Sequence, residues 1–560
     1  MSSVRRMAAV FTALVTLGIT AHGADRSNAK TDERVAAALV QIEKWVAASG
    51  NGPGVVIGVT DRERLRGVVV HGYADLKARK PVTADTRFAI GSLTKSFTAV
   101  ALLQMADAGK FDPAAPVRQY LPQFRVKTKY PEITGRSLLN HTSGLPNYLP
   151  HLSSMRYAVY ALHDFEPVYA PGEHFLYSNT GYQILGYVAE RIDGDSYASL
   201  LERRVLAPLG MHATEPQIDD TVRQSLPVSY ERWSQDGSYV EANWFPYTAA
   251  DGGIASTTAD LGAYVRFILN RGAAPGGGRI LSPAAFQAFI TAYLDNYAYG
   301  VSVSGPPGQT VVGHSGSVYG FNSYFEAHVD EGFGLTFMSN ASLDWELMGR
   351  IIGIVSTAFG GNGRPASHES FVNGPVEDRN DTSRYEGTYR SQDGAAVVFS
   401  KAQGGGLVVR RPDGTQVTLT RMGEDIYGSG RTGAYLFFVD PEHPEGGAQE
   451  VSNGAEWYAK KGVAVEKKLT VPAEYRAYVG RYRNHSDEGP DVRVFVRRGR
   501  LMVASVGDAY GSELEAAGPA SFRPASEPYN PDWYRFDTLD DGVMLRLQAT
   551  GVPLYRVDMP

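Results

Sequence analysis

Two stretches of the C-terminal third, YEGTYRSQDGAAVVFSKAQGGGLVVRR from Tyr385 and YVGRYRNHSDEGPDVRVFVRRGRLMV from Tyr478, share the pattern Y-x-G-x-Y-R at an offset of 93 residues. A repeat of that period is one structural unit used twice. Within the copies, β-branched and aromatic runs such as AAVVFS, GLVVRR, TQVTLT and AYLFFV alternate with Gly, Asp and Pro turns, the pattern of a small barrel or sandwich. About 90 residues suffice for eight short strands. The pattern leaves open whether each copy closes on itself or the two share one barrel.

The chain before this third has a different character. From about Asp32 to Phe359 helical and strand patterns alternate, as in the helix opened by STTAD at Ser256, where Asp260 lies in the first turn and Gly272 follows as a stop. Between the two regimes, Gly360 to Ser383 is rich in Gly, Pro, Asn and charge and lacks periodicity, which reads as a linker. The expected organisation is a signal peptide at 1–23, a mixed α and β domain at 24–360, a linker at 361–383 and β units at 384–469 and 470–560. The leader is read from Arg5 and Arg6, an apolar run from Met7 to Thr20, and Ala21-His22-Gly23 as a cleavage site. That run is shorter than the ~20 residues a spanning helix needs. An exported protein, periplasmic or secreted, with no membrane span is therefore expected. The sequence has no cysteine, so disulfides and a thiol nucleophile are excluded. A net charge of -6 and the lack of a long Lys/Arg block argue against a nucleic-acid partner.

Chemistry enters at GSLTKSFTAVALLQMADAGK, which begins at Gly91 and places Ser92 and Lys95 three apart. On a helix these two share a face, with the hydroxyl at the N-terminal end where backbone N–H groups favour developing negative charge. The helix behind them is hydrophobic nearly all round, so it is buried. A lysine near its start is costly there unless it has a task. Desolvation lowers its pKa, and it can then take a proton from serine. A second S-x-x-K, Ser27 to Lys30, sits in a polar segment with no apolar helix behind it. Downstream, Tyr177-Ser178-Asn179 lies on a turn at a helix start, and His314-Ser315-Gly316 on a strand leading towards a hairpin that turns at Asp330 to Gly332. Taken singly, Tyr177 reads as a packing tyrosine and His314 as a satisfied strand histidine. The ordered set of S-x-x-K, Y-x-N and H-x-G changes that reading.

With these motifs and their surroundings, including SLLNHTSGLP, YSNTGYQILGYVAERI, DGGIASTTADLGAYVRFIL and GHSGSVYGF, the chain from about Thr31 to Ala358 resembles the penicillin-recognising serine hydrolases of the class C β-lactamase, DD-carboxypeptidase and D-aminopeptidase group. The resemblance implies an α+β catalytic domain of the β-lactamase/transpeptidase type, an antiparallel sheet flanked by helices plus a helical subdomain, followed by small all-β barrels. It implies Ser92 as acylated nucleophile, Lys95 as its proton partner, Tyr177 as base and later acid, and Asn179 as a hydrogen-bond partner of substrate and Lys95. His314, Ser315 and Gly316 form the third motif, and the oxyanion hole falls to the backbone N–H groups of Ser92 and Ser317. No metal or cofactor is implied.

The chain has histidine where β-lactamases carry the lysine of Lys-Thr-Gly. A histidine with a pKa near ~6.5 is largely neutral at pH 7.5, which weakens recognition of a β-lactam carboxylate. The histidine form resembles the D-aminopeptidases and some DD-peptidases of the group, and the two lipocalin-like β units resemble the layout of the D-aminopeptidases. The expected activity is thus a peptidase or amidase for short substrates bearing a D-residue, with a carboxylesterase or a β-lactamase as the alternative. A G-x-S-x-G elbow and an H-E-x-x-H motif are absent, and the 12 histidines are scattered. His141, in NHTSGLP, could serve as a loop ligand, but Thr142, Ser143 and Gly144 after it read as a tight turn beside the cleft, which disfavours a direct catalytic role for His141. A ligand-binding protein with an inert hydrolase domain is disfavoured by the intact Ser92, Lys95 and Tyr177. Small molecules, short peptides or esters are the expected partners.

Overall fold

The alternation of Val56 with Ile57 and Val59 along one strand shows how the larger part of the chain is layered. In the computed structural model, which describes residues 30–557 apart from 362–381 and shorter internal stretches, chiefly barrel loops, six antiparallel strands form one sheet. They are β1 (Val55–Asp61), β2 (Leu65–His71), β3 (Ser302–Ser304), β4 (Val311–Val318), β5 (Phe321–His328) and β6 (Phe333–Ser339), in the order β2-β1-β6-β5-β4-β3. Ile57, Val59, Leu335 and Phe337 point to one face, where α1 (residues 30–48) and α5 (Trp345–Ala358) supply Val35, Ile42, Ile351 and Val355. Val56, Phe325 and Met338 point to the other, which α4 (Thr258–Leu269) covers; α2 (Thr94–Asp107) meets α4 through Phe97 and Tyr264, and α3 (Asn179–Asp193) packs on α2 within the same core. A period-2 strand sandwiched between helices must be apolar on both faces. Gly58 lets α4 come close, since a Cβ there would lie 2.6 Å from Thr258 Cγ2.

Local signals set the helix ends. Thr257 caps α4, its side chain accepting from Asp260 N–H, and Ser178 caps α3 by accepting from Gly181 N–H. At the far end of α3, Gly194 adopts φ 79°. The strand carrying the third motif does not run straight to the turn near Asp330. It first reverses at Tyr319 and Gly320, with φ 47° and 79°, a two-residue turn of type I′ in which tyrosine is a rare residue at positive φ. The turn before β6 follows, with Gly332 at φ 85°.

Each copy of the repeat closes its own eight-stranded barrel, from Gly387–Arg390 to Trp457–Lys460 and from Gly480–Arg483 to Val552–Val557. The repeated tyrosines do the same work in both. Tyr389 Oη donates to the Tyr385 carbonyl at 2.9 Å, and Tyr482 Oη to that of Tyr478 at 2.8 Å. The first barrel is filled by Tyr389, Phe399, Tyr427, Tyr435 and Phe437, the second by Tyr482, Val494, Phe522 and Phe536. Interiors so occupied are packed cores. The expected leader lies outside the described residues, as does nearly all of the expected linker. Among the described residues no helix is long and apolar enough to cross a membrane.

Candidate active site

Ser92 sits in a 3-10 turn, Gly91–Leu93, that continues directly into α2. Gly91 adopts φ 51°, and a Cβ on it would lie 2.8 Å from the Ser317 amide nitrogen. The backbone of the third motif thus runs against the turn that carries Ser92. Gly316 is needed for the same approach: a Cβ there would stand 2.1 Å from the Ile90 carbonyl oxygen and 2.5 Å from Ser323 Oγ. Ser323 Oγ itself donates to that carbonyl at 2.8 Å.

Lys95 is fully buried. Its ammonium donates to Ser92 Oγ at 3.0 Å, Asn179 Oδ1 at 2.5 Å and the Asp251 carbonyl at 2.6 Å. Burial pulls the Lys95 pKa down to about 7, and the Asp251 carboxylate opposes the shift. Such a group exchanges a proton with a neighbouring hydroxyl near neutral pH. The Tyr177 ring centroid lies 5.0 Å from Lys95 Nζ, and its Oη is buried. Asn179, the first residue of α3, also donates through Nδ2 to Asn147 Oδ1 at 2.9 Å.

All eight residues singled out in the sequence converge here, but they do so unevenly. Ser92, Lys95 and Asn179 are directly hydrogen-bonded, whereas His314 is 7% exposed and both its nitrogens are engaged. Nε2 meets Tyr297 Oη at 2.8 Å and Nδ1 the Ser315 carbonyl at 2.5 Å. Burial and the nearby Lys95, partly opposed by that carbonyl, depress the His314 pKa to about 3. The expectation of a mostly neutral ring thus becomes one of a ring that stays neutral well into acid. Sequence reasoning missed Asp251, Asn147 and Tyr297. Asp251 stands in DGG and holds a hydrogen bond from Tyr247 Oη at 2.6 Å; its segment also receives the Ile90 N–H at the Ile254 carbonyl. Nothing in its local composition marks it. Among the described residues no cluster of three His, Asp or Glu could hold a metal.

Residues 33–352 match the family model described as Beta-lactamase. The chain belongs to the beta-lactamase family. As a member it is a serine hydrolase. It is 27% identical over 361 residues to penicillin-binding protein 4* of Bacillus subtilis, a match covering 58% of this chain and 77% of that protein. It is 29% identical over 302 residues to a D-aminopeptidase of Cereibacter sphaeroides, covering 52% of this chain and 57% of the relative. A D-aminopeptidase of Brucella anthropi is 28% identical over 345 residues, with 57% of this chain and 63% of that one covered. The family's fold is also seen in an octameric penicillin-binding protein homologue from Pyrococcus abyssi, with a TM-score of 0.52, 21% identity and coverage of 85% and 97% of the two chains. A Beta-Lactamase/D-Alanine Carboxypeptidase from Pseudomonas syringae gives a TM-score of 0.50 at 21% identity, over 57% of this chain and 98% of that one.

Proposed function

We propose that the protein is an exported hydrolase of short peptides or amides bearing a D-residue, working through an acyl-enzyme on Ser92. The observation that carries this is the buried Lys95 amine, held between Ser92 Oγ and Asn179 Oδ1 with its pKa near neutrality. Ser92 Oγ attacks the carbonyl carbon as its proton passes to the Lys95 and Tyr177 pair. The negative oxygen of the tetrahedral intermediate takes hydrogen bonds from the Ser92 and Ser317 amides. The carbonyl reforms as the C–N bond breaks, and the leaving nitrogen receives the proton through Tyr177. Water then attacks the ester, gives up its proton to the same pair, and releases Ser92 as the free hydroxyl.

The choice of substrate class rests on the third motif. A neutral His314 with both nitrogens occupied presents no cation to a substrate carboxylate, so uncharged or amine-bearing acyl donors fit this site better than β-lactams. The similarity to D-aminopeptidases points the same way. The test is a side-by-side rate comparison on a D-alanine p-nitroanilide, p-nitrophenyl butyrate and a chromogenic cephalosporin. The D-alanine amide should have the highest kcat/KM relative to its uncatalysed rate. A preference for the ester or the cephalosporin would overturn the substrate assignment.

A further inference from the structure

A chain of hydrogen bonds runs from the second motif to the third. It starts at the Ser178 backbone N–H, which donates to His141 Nδ1 at 3.0 Å. An amide N–H can only donate, so Nδ1 is the acceptor and a neutral ring carries its proton on Nε2. That nitrogen lies 3.2 Å from Tyr297 Oη. At the far end, His314 Nδ1 faces the Ser315 carbonyl. A carbonyl can only accept, so Nδ1 carries the proton and Nε2 is bare. Tyr297 Oη is 2.8 Å from that bare nitrogen.

The two ends therefore give the same direction independently: Tyr297 accepts from His141 and donates to His314. Both rings are neutral. Burial, then Lys95 and His314, hold His141 well below the ordinary histidine range, and His314 is similarly depressed. The three side chains are buried, and the His141 ring packs on that of Tyr177 with centroids 4.2 Å apart. His141 takes this place from a left-handed backbone, φ 56°, in the turn after Asn140.

We infer that Tyr297 and His141 are positioning residues of the Ser92 site, joined in a directed chain from Ser178 N–H to His314 that sets the third-motif strand against the second motif. The inference rests on the reading of Ser92 as nucleophile. Through it the Ser317 amide, three residues beyond His314, and Tyr177, one residue before Ser178, keep a fixed relation across the cleft. A reversed His314 tautomer would aim two N–H donors at Tyr297 and leave the Ser315 carbonyl without its donor, so the native arrangement is self-selecting.

The test uses full-length protein labelled with 15N-histidine, with the two resonances assigned by their loss in His141→Asn and His314→Gln. At pH 7, His141 should be protonated on Nε2 alone and His314 on Nδ1 alone; the opposite tautomer at either ring would overturn the chain. Tyr297→Phe should lower kcat about 10- to 100-fold with KM within about twofold. Because Tyr297→Phe and His141→Asn break the same chain, the double variant should lose little more than the worse single one. A Tyr297→Phe kcat within about twofold of wild type, or losses that multiply, would overturn the positioning role. If Tyr297→Phe does not fold, His141→Asn tests the positioning role by the same kcat and KM split, a kcat within about twofold of wild type overturning it, and the tautomers of the unaltered protein still test the chain. Activity retained in Ser92→Ala would overturn the nucleophile assignment while leaving the tautomers as measured, so the two failures are distinguishable.

Discussion

Lys95 shows how a single buried side chain sets conditions for the whole site. Its folded pKa is about 7 because burial disfavours the ammonium more than Asp251 restores it. Above that pH the free amine predominates and can accept the Ser92 proton, so kcat/KM on an amide should rise with pH through about 7. Asp251→Asn removes the carboxylate that favours the ammonium, and the acid limb should move to lower pH. A limb unchanged in that variant would show that another group titrates. Ser92→Ala should lower kcat on every substrate on the order of 10³-fold or more, since no acyl-enzyme can form. Ser27→Ala should leave all rates unchanged. Single-turnover assays with a p-nitrophenyl ester would check both. Ser92 and Lys95 were legible because a charge at the start of an apolar helix is a local anomaly. Asp251 was not, because its meeting with Lys95 spans 156 residues and leaves no mark on either segment.

At the level of elements, β5 carries a buried ionic cluster on the strand paired with the third motif, where Tyr324 lies opposite Ser315 and Glu326 opposite Gly313. Tyr324 Oη donates to Glu326 Oε2 at 2.7 Å, and His328 bridges Glu326 and Glu331, the latter at 2.8 Å from Nδ1. Burial alone would lower the His328 pKa, but the two carboxylates outweigh it and the folded value is raised. The stabilisation is therefore full below the ordinary value of about 6.5 and is lost as pH rises through the raised one. Glu326→Gln leaves the imidazolium short of a buried partner and should cost about 3 kcal/mol. Urea unfolding of the variant and parent at several pH values would measure this, with a gap that narrows in alkali. On β4, Gly316→Ala should cost about 1–3 kcal/mol by overpacking against Ile90 and Ser323. It should also depress kcat by pushing the Ser317 amide away from Ser92. Wild-type kcat in a folded Gly316→Ala protein would contradict the close approach of β4 to the nucleophile turn.

Across the molecule, the buried clusters are drawn separately. Those of the sheet and its helices use residues between Val35 and Phe359, and each barrel core uses only its own strands and the segment leading into them. Units with separate cores fold separately, so truncation near Pro375 should leave a folded hydrolase. One longer-range electrostatic interaction argues that the barrels nonetheless bear on selectivity. Arg523, in a strand of the second barrel, is partly desolvated and feels the carboxylate of Glu166, in the segment that also packs against Gly144 through Pro167 and Tyr169. Removing the barrels should keep kcat on p-nitrophenyl butyrate within about threefold. It should change the ratio of kcat/KM between small and bulky substrates about tenfold or more, as loops over a cleft set which acyl groups enter. Equal ratios in full-length and truncated enzyme would confine the barrels to stability or assembly.

The sequence by itself determined the features that are local or repeated. The 93-residue offset marked two like β units, and the paired tyrosines at 385 and 389, then 478 and 482, form the same hydrogen bond in each barrel. The caps of α3 and α4 and the burial of α2 were likewise written in short windows, because capping and helical periodicity act over one to four turns. Tertiary structure alone decided the closure of each repeat into its own barrel, since strand patterns do not reveal which edges pair. It also decided the reversal at Tyr319 and Gly320, where tertiary packing overrides what tyrosine prefers. Above all it decided what surrounds the motifs: Asp251 and Asn147 about Lys95 and Asn179, and Tyr297 between two histidines 173 residues apart in sequence (141 and 314). Their identities are ordinary, and only the folding of distant segments onto one another gives each a partner and a charge state.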